Sequence, residues 1–393
     1  MRVKRVKSYI FLRDVLLLAF TAFGGPQAHI TLLFDLMVKK RRYITEDELI
    51  ELHALCQILP GPTSTQTITA IGFKLGGPNL AYLTLLIWVL PAVTIMIAAA
   101  IAISDFQQKD FSLDFTKYIQ PMAVGFVAYA AFKISSKVVV TKLGMFIMVI
   151  SAVLSYFFPS PYVFPFLLFA GGFITSSRFN KLERVENKKK ISIDWSNFML
   201  WVGVFILAAV LGGITRSLPI RLFENFYRNG SLIFGGGQVL VPLLFTEFVE
   251  FKNYLSSEEF LSGFALVQAL PGPTFSFTAF IGSLSMREYG TWGEILGGVI
   301  GAFGIFLPGT FFIFFVIRFW DDLKQYRGIK ASLEGINATS SGMVTAAALL
   351  LFEPINSNFL NISIIVITFC LLTFTRIPAP FIIIVGLVAG III

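Results

Sequence analysis

The sequence predicts an all-α, polytopic integral membrane protein made of two inverted-topology repeats, each carrying two re-entrant helical hairpins. Three observations lead there: an extreme apolar composition, apolar runs of bilayer-spanning length along the whole chain, and glycine-proline motifs that break those runs twice at a fixed interval. Of 393 residues, 56% are hydrophobic and 14% charged, and the mean hydropathy is +0.78; ordinary soluble domains carry about 25% charged residues. Thirteen hydrophobic segments fall at roughly 9–38, 49–73, 79–103, 118–140, 143–158, 161–176, 196–215, 229–250, 260–284, 293–317, 333–352, 357–375 and 377–393. Most lie near the ~20 residues that cross a bilayer as a helix. They lack the polar-apolar alternation of barrel strands.

The opening stretch, MRVKRVKSYIFLRDVLLLAF, has the basic start and apolar run of a signal peptide. Arg13 and Asp14 interrupt it and no small-x-small cleavage site follows, so it is expected to be retained. Cys56 and Cys370 stand far apart in apolar surroundings, in neither a CxxC nor a metal-ligand spacing, and read as packing residues. The net charge of +8 raises nucleic acid as a partner. Most basic residues, however, flank membrane segments, where they set orientation. No nucleic acid is expected.

FGGPQ at 23–27 returns as FGGGQ at 234–238, and LPGPT at 59–63 returns at 270–274, both 211 positions later. Two motifs in one register mean an internal duplication. Between them Tyr43 matches Tyr254, Gln57 matches Gln268, and TEDE from Thr45 matches SSEE from Ser256. Both tetrads are capping boxes, in which a hydroxyl and the Glu three residues on satisfy free amides at a helix start. Farther on the interval becomes 217, with Leu90-Pro91 answered by Leu307-Pro308. The expected units are 1–175, a basic cytoplasmic linker at 176–195, and 196–393.

A single helix through 9–38 would be about 45 Å long against a hydrocarbon layer of ~30 Å. It would also put the basic N-terminus and the KKRR cluster at 39–42 on opposite faces, against the positive-inside tendency. A chain reversal at FGGPQ removes both objections, and the same logic makes 49–73 a second hairpin. In the second half the corresponding loop holds Glu247, Glu250, Glu258 and Glu259 against Lys252, which suits the outside. With simple crossings elsewhere, the basic 318–330 loop falls inside, the N-terminus is cytoplasmic, and an odd number of crossings inverts the halves. Inverted repeats with broken helices meeting near the midplane are a common transporter design.

Non-helical backbone at membrane depth is tolerated only where it is buried in protein or lines a polar cavity. Gly24, Gly25, Gly61, Gly235, Gly236 and Gly272 allow sharp turns and close approach of a ligand. Pro60 and Pro271 open the PGP turns that precede two helix starts, with Thr63 and Thr274 in their first turns; the free amides there form anion sites needing no charged side chain. Gln27, Gln238, Gln57 and Gln268 are the duplicated amides that can donate to an oxyanion or brace the tips. These fourteen residues are the candidate substrate site. His29 and His53 align with Leu240 and Phe264 and read as satisfied polar residues, with proton transfer as the competing role. Lys74 and Lys133 are expected to snorkel, and Arg287 to lie at the surface.

FGGPQAHI, LPGPT, FGGGQVLVPLL and a second LPGPT, in a two-domain chain of this length, resemble the long-chain chromate ion transporters, in which each half is one chromate-transporter domain. The resemblance covers nearly the whole chain. It implies export of chromate, a tetrahedral dianion similar to sulfate, across the inner membrane, driven by an ion gradient. The family motifs map onto 23–27, 60–63, 234–238 and 271–274. The second copy has Gly237 where the first has Pro26, so the two tips need not bind equivalently. The expected partners are the oxyanion and membrane lipid, with no cofactor and no metal; a homodimer is left open. A sulfate transporter is the nearest rival; a membrane-embedded enzyme and a passive anion channel are the less favoured ones. A membrane-embedded enzyme would need a nucleophile with a base or a metal cluster, which two unduplicated histidines and two distant cysteines do not supply.

Overall fold

The computed structural model describes residues 8–23, 25–109, 116–138, 141–177, 194–234, 237, 239–320, 327–375 and 377–392. Gly24, Gly235, Gly236, Gln238 and most of the expected linker lie outside the described residues, as does the side chain of Gln27. Helices account for the regular structure throughout, with no strand among the described residues. Among the described residues three are long and apolar enough to cross a membrane: Thr63–Gln107, Ser196–Thr215 and Arg287–Val316. Four shorter apolar helices, Lys142–Phe157, Val163–Ser176, Phe359–Phe374 and Ala379–Ile392, accompany them. Large apolar side chains such as Phe166, Phe173, Ile214, Phe359 and Phe374 are exposed on these outer helices. An apolar exterior of this extent is stable against lipid and would aggregate in water.

Helix α1 (Ser8–Thr21) ends at the first FGG, and α2 (Gly25–Leu33) continues as a π-helical turn over Phe34–Lys40. The chain folds back on itself here. The Phe11 ring meets the Tyr43 ring edge-on at 5.5 Å, and Asp14 accepts from Arg41 Nη2 and from Tyr43 Oη, each at 2.6 Å. The second half repeats the reversal with α9 (Leu218–Leu232), α10 (Leu240–Phe245) and a π-helical Thr246–Phe251. There Phe226 stacks on Phe248 at 4.6 Å and Arg228 pairs with Glu247 at 3.0 Å. Backbone detail recurs at the same interval. Arg41 and Tyr43 donate to Leu36 and Met37, and Lys252 and Tyr254 donate to Glu247 and Phe248. Arg42 and Asn253 both adopt left-handed backbone, φ 55° and 54°.

Helix α9 begins at Leu218, whereas the hydrophobic segment read from the sequence begins at 229. The reason is composition: Arg221, Glu224, Asn225 and Arg228 keep its outer part from scoring as apolar. Leu222, Asn225, Phe226 and Tyr227 are nevertheless buried.

Helices α3 (Glu46–Ile58) and α11 (Ser257–Ala269) start at the two predicted capping boxes, both closed in each direction. Acidic first turns suit the positive end of the helix dipole. Each helix stops where the residue before a proline is driven to extended backbone: Leu59 at φ −82°, ψ 149° and Leu270 at φ −92°, ψ 149°. Then come α4 (Thr63–Gln108) and, after a 3-10 turn at Thr274–Ser276, α12 (Phe277–Ser285). Helix α4 is two helices joined at Gly76-Gly77, where Gly77 has φ 73°. Gly290, φ 70°, makes the same joint between α12 and α13 (Gly290–Val316).

The remaining helices are α5 (Ile119–Val138), α6 (Lys142–Phe157), α7 (Val163–Ser176), α8 (Ser196–Thr215), α14 (Arg327–Leu350), α15 (Phe359–Phe374) and α16 (Ala379–Ile392). The halves interleave rather than sit side by side: α14 packs on α5, α6 and α7, while α5 packs on α15, α11 and α16. Close contact at the α7–α14 crossing depends on Gly335, where a Cβ would sit 1.9 Å from the Gly171 carbonyl oxygen. Small residues at crossings replace the hydrophobic drive that lipid removes.

A candidate anion site between four chain reversals

The PGP turns of the two halves are bonded to each other's opposite motif. Gly61 N–H donates to the Ile233 carbonyl at 2.7 Å, and Gly272 N–H donates to the Ala22 carbonyl at 2.9 Å. Donors and acceptors are both 211 positions apart, so the LPGPT turn of each half is tied to the end of the first limb of the other. Gly61 and Gly272 have φ 119° and 104°, backbone that only glycine adopts without strain.

A cavity of about 10 Å³ lies where these reversals meet, lined by His29, Pro62, Thr63, Ser64, Gly237, Pro273, Thr274 and Phe275. That is at the lower limit for one water, so a tetrahedral oxyanion enters only if the tips separate. The lining is electrically neutral. It combines hydroxyls, an imidazole and the first turns of α4 and of the 3-10 turn leading into α12, whose amides point away from their helices.

His29 is 1% exposed and ties the first FGG reversal to the helix start after the first LPGPT turn. Its Nε2 lies 3.1 Å from the Ala22 carbonyl and its Nδ1 3.0 Å from Ser64 Oγ. A carbonyl only accepts, so Nε2 carries the proton and Nδ1 accepts from the Ser64 hydroxyl. The Trp88 ring stands edge-on to the imidazole at 5.4 Å, and Trp88 Nε1 donates to Thr65 Oγ1 at 3.1 Å. Gln66, buried like its neighbours, donates from Nε2 to the Pro60 carbonyl at 2.6 Å and to the Gly309 carbonyl of α13 at 3.3 Å. Neither Gln66 nor Ser64 was singled out by sequence reasoning. Phe277 and Phe275 stand at the corresponding positions, so duplication gave no signal.

Of the sequence-predicted site residues, Thr63 and Thr274 line the cavity. Pro60, Gly61 and Gly272 form the turns beside it, half-buried Pro271 completes the second turn, and Gly25 opens α2. Gln57 is exposed, does not line the cavity and contacts the His53 ring at 3.1 Å. His53 in turn meets Thr67 Oγ1 at 3.3 Å. Gln268 is half-buried one turn before the second PGP and also does not line it. The first PGP turn is wholly buried and the second is partly open.

Ion pairs hold the far ends of the limbs. Lys74, expected to snorkel, pairs with Glu48 at 2.8 Å, and with the Thr45 amide it holds the Glu48 carboxyl below the usual carboxylate range. Arg287, expected at the surface, pairs with the buried Glu259. Glu247 and Glu259, two of the acids that suggested an external loop, are thus buried and paired. Cys56 is buried and Cys370 half-buried, both free thiols. Among the described residues no group of His, Cys, Asp and Glu is placed to hold a metal ion.

The family model described as chromate transporter matches residues 10–176 and again 220–391. The chain belongs to the chromate transporter family. An uncharacterized transporter of Methanocaldococcus jannaschii is 26% identical over 358 residues, covering 90% of this chain and 87% of the relative. A probable chromate transport protein of Synechococcus elongatus is 24% identical, covering 94% and 91%. A chromate transport protein of Cupriavidus metallidurans is 23% identical, covering 93% and 89%. No solved structure matches the chain. Both family matches contain an FGG motif and an LPGPT motif, so the four reversals around the cavity are drawn equally from two chromate transporter domains.

Proposed function

We propose that this chain is a secondary active transporter that exports chromate by alternating access, with the dianion held by helix N-terminal amides and hydroxyls at the four tips. The reciprocal bonding of Gly61 to Ile233 and of Gly272 to Ala22 carries the reading, because it joins both halves beside a cavity lined by neutral donors. Relatives named chromate transport proteins along nearly the full length supply the substrate. The limbs act as re-entrant hairpins, the first pair entering from the cytoplasm and the second from outside, in halves inverted across the inner membrane. A cavity this small describes an occluded state. Breaking one reciprocal bond opens the site to one face, and breaking the other opens it to the opposite face.

Sulfate is the second reading, since amide-lined sites recognise shape and charge more than element. Proteoliposomes test both. Gly61→Val, Gly272→Val, Gln27→Ala and Gln238→Ala are expected to abolish chromate uptake while the protein stays in the membrane; normal uptake by all four removes the tips from the mechanism. Competition with labelled sulfate ranks the two anions. Stimulated counterflow, which a passive channel cannot show, tests the carrier mechanism.

A further inference from the structure

A cavity of about 600 Å³ lies away from the tips, between α8 and α9. Its polar wall is Arg216, Arg221, Glu224, Asn225, Arg228 and Lys252. Small residues of α8, from Ala208 to Gly213, leave the space, and a Cβ on Gly213 would meet nothing within 4 Å. Cavities of this size hold small ligands.

The lining is dominated by donors. Glu224 is engaged by Arg228 Nε at 3.1 Å, and Arg228 Nη2 also reaches Glu247 at 3.0 Å. Arg228 still has Nη1 buried with no acceptor, and Asn225, 2% exposed, has Nδ2 in the same state. A buried donor without an acceptor carries its full desolvation cost, which a bound acceptor removes. Arg216 and Arg221 are exposed at the rim, and Lys252 is half-buried.

The duplication supplies an internal control. Asp14 stands where the second half has Asn225, and Leu17 where it has Arg228. In the first half the Asp14 carboxylate accepts from Arg41 and Tyr43, so that end is satisfied internally. In the second half the acceptor has become an amide, a guanidinium has been added, and α8, which has no counterpart before α1 among the described residues, walls the space.

We infer that this pocket is a second anion site, built for a tetrahedral phosphate-class oxyanion, either free in solution or borne on a lipid headgroup. Arg228 and Asn225 hold it from the inner wall, and Arg216, Arg221 and Lys252 close over it. The site is independent of the tips, so it stands or falls separately from the transport reading.

The test uses the purified full chain. Arg216→Gln with Arg221→Gln removes rim charges that make no ion pair among the described residues, and Gly213→Leu fills the space without changing charge. One arm measures equilibrium binding of radiolabelled sulfate at fixed ionic strength. The other measures retention of phosphatidylglycerol against phosphatidylcholine by native mass spectrometry after extraction from nanodiscs. A free-anion site appears as sulfate binding that both variants weaken at least ~10-fold, about 1.4 kcal/mol. A headgroup site appears as phosphatidylglycerol retention lost in both variants with sulfate binding unchanged. Both variants are also measured in a Gly61→Val background, where sulfate held at the tips is removed, and the same loss is expected there. Equal behaviour of wild type and both variants in both arms overturns the assignment.

Discussion

At Gly61 the absence of a side chain lets the first PGP turn close. A Cβ there would come within 2.8 Å of Gln66 Nε2 and 3.3 Å of the Gly309 Cα, on backbone with φ 119°. Strain of this kind costs about 1–3 kcal/mol, so Gly61→Ala is expected to lower the Tm in detergent by several degrees as well as to impair transport. Gly237 gives the contrasting case. A Cβ at that position meets Phe275 Cε2 at an ordinary 3.5 Å, yet it points toward the cavity residues Thr274 and Phe275. Gly237→Ala is therefore expected to leave thermal stability within about 0.5 kcal/mol of wild type while reducing chromate transport in proteoliposomes. A matched loss of stability in both variants would make the cavity a packing feature only. His29→Leu removes contacts with Ala22 and Ser64 at once. Its expected signature is loss of transport together with partial destabilisation of about 1–3 kcal/mol, from the donor and acceptor left unpaired.

Among the elements, the two pairs that link a capping box to the end of the following limb differ in environment. Glu48 and Lys74 are both partly exposed, whereas Glu259 is 4% exposed behind Arg287. Removing one partner of an exposed pair costs about 0.2–1 kcal/mol; leaving a buried carboxylate alone costs about 3–5 kcal/mol. Lys74→Gln should thus be nearly silent in thermal unfolding, and Arg287→Gln strongly destabilising. Glu259→Gln in the Arg287→Gln background should recover much of the loss. The Glu48 carboxyl, held below its ordinary range by Lys74, contributes stability above the unfolded carboxylate pKa. That contribution falls away as pH drops toward the folded value.

For the whole molecule, the two halves are interleaved through shared helix contacts. Helix α14 lies against α5, α6 and α7, and each PGP turn is bonded to the opposite half. The proposed alternating access requires the reciprocal bonds to break in turn. Single cysteines at 39–42 and at Lys252, with Cys56 and Cys370 replaced, are expected to react with an impermeant reagent from the cytoplasmic and external faces respectively. Labelling of both from one face would remove the inverted, folded-back topology.

Much of the architecture was legible in local sequence. Capping boxes at Thr45 and Ser256, helix ends before Pro60 and Pro271, and the turns at Gly61 and Gly272 are decided by a few adjacent residues. The duplication was legible because identical local problems had been solved twice in the same letters. The polar start of α9 was not, since Arg228 pairs with Glu247 beyond the helix and its other polar residues line a cavity against α8, which no hydropathy window contains. Nor could the sequence select Ser64, Gln66 and His29 over the glutamines at 57 and 268. Their placement depends on which side chains remain facing inward once two halves have crossed. The sequence alone determined where the helices break and that they break in pairs, because backbone conformation answers to neighbours in the chain. Only the tertiary structure decided which break meets which, because the amides of one half find their acceptors in the other.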